Sequence, residues 1–189
     1  IFNGFGGGAS ALIASAEYLS NYQNNSLSMF LVITITLSVF IGTLTLTGSF
    51  IAFGKLQGFI SGQPILFPGQ QPFNALLAIG IVASSYLLAS GNLDNLNTFY
   101  AIIAISALMG ITLTIPIGGA DMPVVISLLN SYSGVAASAT GFVLMNNGLI
   151  IAGALVGASG LILTNIMCKG MNRSLANVIF GAMGCLLYT

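Results

Sequence analysis

The 189-residue sequence has no histidine, no tryptophan, and only three acidic and three basic side chains. Charged residues make up 3% of it, whereas a soluble domain carries roughly a quarter. So few charges cannot solvate a surface of this size, which leaves the bilayer as the solvent for most of the chain. The shortage of lysine and arginine leaves no basic patch to neutralise phosphates, and this excludes nucleic acid as a partner. With no imidazole, and no Asp or Glu deep in an apolar span, the chain lacks an evident titrating relay of its own. Cysteine is scarce too. Cys168 and Cys185 show no partnering pattern and read as small apolar fillers, not as a disulfide or metal site. There is no signal-peptide n-region. The chain opens on Ile1 inside an apolar run and closes on "GAMGCLLYT", as expected of a piece cut from a longer protein.

What is abundant is apolar: 56% of the residues. Polar breaks divide the chain into six apolar segments at 1–19, 27–53, 73–90, 99–116, 122–145 and 148–168. Each is roughly 18 to 27 residues, the length that crosses a hydrocarbon core at 1.5 Å per residue. Only helices satisfy their own backbone polar groups over such lengths, so even the alternating "GTLTLTGS" at 42–49 is expected to be helical. The expected fold is an all-α membrane protein, a bundle of about six transmembrane helices with mostly short loops that make neighbours antiparallel. An alternating path puts Lys55, Lys169, Arg173 and the "GGAD" at 118–121 on one side, with Glu17 and Asp94 towards the other. The positive-inside rule makes the basic side cytoplasmic.

Four patterns stand out from the apolar background. "GFGGGA" at 4–9 fits a loose dinucleotide fingerprint, but no strand precedes it and no acid lies about twenty residues on. Small residues that let a neighbouring helix approach are the better account. Gly153, Gly157 and Gly160 form a similar ridge in the sixth segment. In the fifth, Ser127, Asn130, Ser131, Gly134, Ser138 and Gly141 recur at helical spacing as one small, polar stripe. It serves either as interhelical glue or as a hydrated path, and the full amides of Asn130 and Asn3 speak for the path. Asp121 precedes Met122 and Pro123 as a helix N-cap would. A carboxylate at a helix mouth near the surface can also be functional, and Asp121 and Arg173 fall on the same side.

With those residues in hand, the chain resembles a known family. "IGGADMPVVISLLNSYSGVAASATGFVL", "GALVGASGLILTNIMCKGMNRSLANVI" and the earlier "LTGSFIAFGKL" at 46–56 are similar to the membrane domain of the proton-translocating NAD(P) transhydrogenase, beta subunit. The resemblance implies an enzyme that moves a hydride between NADH and NADP⁺ while a proton crosses the membrane. It implies a transmembrane domain at 1–173 and, at 174–189, the start of a linker to an NADP(H)-binding domain. It implies an NAD(H)-binding alpha subunit as partner, a dimer of the whole enzyme, a bacterial inner membrane, and no nucleotide held by these residues themselves. Carried over position by position, it assigns Asp121, Asn130 and Arg173 to proton translocation or coupling, with Ser127 and Ser131 beside them. Ser49, Gly153, Gly157 and Gly160 fall on positions that matter for helix packing.

Two departures qualify the match. Many members carry a histidine in a His-Ser-x-x-Gly context where this chain reads "FNGFGGG", placing Asn3 there. An amide cannot exchange a proton near neutral pH, so Asn3 could only orient water or a proton carried elsewhere. Other members share the Asn, and in those a histidine on a partner helix would serve. The terminal "GCLLYT" also replaces the polar linker expected before a nucleotide domain. The competing classes are a secondary transporter or channel using the Asn/Ser stripe, and an inert scaffold. A transporter would show internal repeats, of which none is evident. A scaffold would not need Asn3 or Asn130.

Overall fold

The computed structural model describes residues 1–24, 27–90 and 95–180. Six long helices run through them: α1 (Phe2–Gln23), α2 (Met29–Leu56), α3 (Gln70–Ser90), α4 (Asn95–Thr114), α5 (Met122–Val143) and α6 (Asn147–Gly170). A 3₁₀ turn at Gly119–Asp121 precedes α5, and a short α7 (Leu175–Phe180) follows α6. No strand occurs among the described residues. The alternating stretch at 42–49 lies inside α2, because a single β-strand in lipid would leave its backbone polar groups unpaired.

The polar breaks do local work at helix starts. Ser28 Oγ accepts from the Leu31 amide at 3.2 Å and caps α2. Asn146 Oδ1 accepts from the Leu149 amide at 3.1 Å and caps α6. Five helices, α2 to α6, are long and apolar enough to cross a membrane. The 22-residue α1 has the length, but Asn3, four glycines, Glu17 and Asn21 dilute its apolar character.

α5 is central and packs on α6, α2 and α1; α2 also packs on α1 and α4, and α3 on α4. One apolar cluster gathers Tyr18, Ile35, Val39, Phe99 and Ile102 at one end of the bundle. There Tyr18 stacks on Phe99 with ring centroids 4.0 Å apart. A second cluster joins Ala52, Ile117, Met122, Val125 and Cys168 at the other end. Cys168 is buried in this cluster; Cys185 lies outside the described residues. Leu12, Ile79, Val82, Leu155 and Ile162 stand exposed on the outside, a surface suited to hydrocarbon and not to water. The chain is thus an integral membrane helical bundle. Lys55, Asp121, Lys169 and Arg173 share one end and Glu17 lies at the other, as the alternating path requires. Asp94 lies outside the described residues.

Candidate functional site

The polar residues of α5 divide between two neighbours. Towards α6, Ser131 Oγ donates to Gly157 O at 2.6 Å, Ser127 Oγ to Gly160 O at 3.2 Å and Ser138 Oγ to Ile150 O at 3.1 Å. These bonds form because both helices present backbone there. A Cβ on Gly153 would lie 2.7 Å from Gly134 O, and one on Gly160 would lie 2.8 Å from Ser131 N. The glycine ridge and the serines therefore make one seam, in which small residues bring a carbonyl within reach of each hydroxyl. Ser127 and Ser131 are buried and their donors are used.

Asn130 lies about 60° round the helix from Ser127, at the stripe's edge. It is half-buried, and its side chain makes no hydrogen bond among the described residues. Its ridge, with Ile126 and Ser133, turns towards α1. There Asn3 Nδ2 donates to Ile126 O at 3.1 Å, and Ser133 Oγ crowds the space over Gly6. The Ile126 carbonyl lies one turn before Asn130, so the two amides flank the same stretch of the α1–α5 interface.

Beside Asn3 is a cavity of about 80 Å³, lined among others by Ser49, Ala52, Phe53, Ile126 and Leu129. That is above the roughly 10–15 Å³ needed to hold one water, and at about 30 Å³ per molecule of liquid water it is room for two or three. Ser49 is buried, and its Oγ has no hydrogen-bond partner. A buried hydroxyl left unpaired costs about 1–3 kcal/mol, and this one shares the otherwise largely apolar cavity with the amide of Asn3. A Cβ built on Gly4 would lie 3.0 Å from the Ser49 Cβ, so α1 and α2 approach closely here. The unpaired hydroxyl is the additional finding.

Asp121 corrects an expectation. It occupies the N-cap position of α5 but makes no side-chain cap bond, because it closes the 3₁₀ turn with φ −92° and ψ −2°. From that backbone its carboxylate turns sideways, and Arg173 Nη1 donates to Oδ2 at 2.8 Å. Arg173 reaches it because Asn172 takes a left-handed φ of 53°, a conformation Asn tolerates, reversing the chain after α6. The Arg173 side chain is 51% exposed and that of Asp121 15%. Asp121 Oδ1 is buried without a partner.

The sequence reading missed Lys55, using it only as a marker of sidedness. Its ammonium is buried and bonded to backbone carbonyls, partners that leave no side-chain signature. It also missed the junction where Ser38 Oγ meets Thr140 Oγ1 at 2.6 Å, both also reaching the Ser10 carbonyl.

A protein-family profile described as NAD(P) transhydrogenase beta subunit matches residues 1–186. Two curated relatives, both described as NAD(P) transhydrogenase subunit beta and both from Rhodospirillum rubrum, are each 49% identical over 152 residues. The match covers 80% of this chain and 32% of each relative, so the chain spans about a third of their length.

Proposed function

The chain belongs to the NAD(P) transhydrogenase beta subunit family, and from that premise we propose that it is the membrane domain that lets a proton cross in a proton-translocating transhydrogenase. The hydride passes between NADH and NADP⁺ in nucleotide domains outside these residues. Residues 174–189 lead to the NADP(H)-binding domain, and the NAD(H)-binding domain belongs to an alpha subunit. The setting is a bacterial inner membrane, the basic end faces the cytoplasm, and the whole enzyme pairs as a dimer.

The observation that carries this reading is the cavity lined by both Asn3, which bonds the Ile126 carbonyl, and Ser49, whose hydroxyl is unpaired. Both groups orient water, and neither exchanges a proton near neutral pH. The proton therefore moves through water held there, or through a titratable group brought by a partner helix. Asn130 extends the hydrated line along α5. Ser127 and Ser131 form its wall, since their donors are engaged by α6. Asp121 is the carboxylate at the mouth. Protonation removes its charge, and the pair with Arg173 weakens. With its guanidinium half exposed, the pair is screened by solvent on the Arg173 side, so breaking it puts limited stability at stake and suits it to act as a switch.

Ser49→Val in the full enzyme tests the reading. It removes the hydroxyl and fills the cavity with methyl groups. We expect an inserted, folded protein whose proton pumping, reconstituted in vesicles, falls about tenfold or more, coupled hydride transfer falling with it. Pumping at the normal rate would reject the cavity as part of the route.

A further inference from the structure

Lys55 sits in the last turn of α2 and is 5% exposed. It faces no carboxylate among the described residues; the one ion pair among them joins Arg173 to Asp121. Its Nζ donates instead to three backbone carbonyls: Gln63 O at 3.3 Å, Ile117 O at 2.9 Å, and Ile115 O. A buried ammonium is costly unless its donors are satisfied, and three carbonyls match its three N–H groups. Two of the three carbonyls belong to the short connection between α4 and the Gly119–Asp121 turn. The third belongs to the loop at 57–69.

That loop is tied to the same connection by its own backbone. Gly119 N donates to Gly62 O at 2.8 Å and Ile65 N to Ile115 O at 3.4 Å. Ile117 is buried in the apolar cluster with Met122 and Val125, so a shift of the connection moves the start of α5. Asp121 N in turn donates to Gly118 O at 3.0 Å, closing the turn that aims its carboxylate at Arg173. One cation thus fastens loop and connection immediately ahead of Asp121.

The geometry points to Lys55 as a positioning residue for Asp121: seated in its carbonyl tripod, it holds the α4–α5 joint and the 57–69 loop so that Asp121 meets Arg173. This rests on the reading of Asp121 as the mouth of the proton route. A neutral side chain at 55 removes the fastener, so the joint opens more often and Asp121 loses its fixed aim.

The test uses the full enzyme with Lys55→Met, Asp121→Asn and the double variant. Hydrogen–deuterium exchange of peptides covering 57–69 and 115–121 is followed beside proton pumping in vesicles. Lys55→Met should speed exchange in both segments, and lower pumping, by about tenfold each, the size expected when a charge-assisted hydrogen bond is lost. If Lys55 acts through Asp121, the double variant pumps no worse than Asp121→Asn alone. Unchanged exchange in both segments would overturn the inference, and so would losses that multiply in the double variant. Lys55→Gln, which keeps N–H donors without the charge, carries the same test if Lys55→Met does not reach the membrane. Should Asp121→Asn alone pump normally, the functional reading fails while the exchange measurement still decides whether Lys55 fastens the joint.

Discussion

Asn130 and Ser131 are adjacent in the chain and face different helices. Ser131 is fully buried, and its hydroxyl donates to Gly157 O. Removing it with Ser131→Ala should cost about 0.6–2 kcal/mol, the range for hydrogen bonds between membrane helices. Denaturant unfolding in detergent would read that loss, and proton pumping should persist. Asn130→Leu should do the opposite. Its amide makes no bond among the described residues, so stability is kept or gained, while pumping is lost. A stable Ser131→Ala that no longer pumps, or an Asn130→Leu that pumps normally, would break this division of roles. The sequence put both residues in one stripe because helical projection fixes angles within a helix. It cannot say which neighbour covers the stripe's edge, and that decided which polar groups remained unpaired.

At the scale of elements, the ridge Gly153, Gly157, Gly160 was legible from spacing alone, but the severity at each position was not. A Cβ on Gly153 would press into backbone, Gly134 O and the amide of Ser138, which cannot yield without parting α5 from α6. At Gly157 the nearest atom is Val135 Cγ2 at 3.0 Å, the end of a side chain. Gly153→Ala should therefore destabilise by about 1–3 kcal/mol or more, and Gly157→Ala by clearly less. Thermal unfolding of the two variants in one detergent checks the order, and equal or reversed losses would contradict the seam described here. "GFGGGA" resolves the same way. Gly7 of α1 meets Gly42 O of α2 at a hypothetical Cβ distance of 2.7 Å, a close approach that serves packing.

For the whole molecule, the number of long helices and which charges share an end of the bundle were readable because span length and an alternating path set them. Two features at the basic end were not. Lys55 binds carbonyls, which every residue carries. Asp121 was expected to cap α5 from the pattern Asp-Met-Pro, yet the 3₁₀ turn before it directs the carboxylate to Arg173, on a segment far along the chain. That finding sharpens the decisive experiment, since Asp121 has no capping bond whose loss could be confused with loss of charge. Asp121→Asn preserves size and an oxygen able to accept from Arg173, and removes only the titratable charge. Proton pumping by the full enzyme carrying Asp121→Asn, reconstituted in vesicles, is the most direct measurement. The account predicts a folded, inserted protein whose pumping falls about tenfold or more; pumping at the normal rate would contradict it.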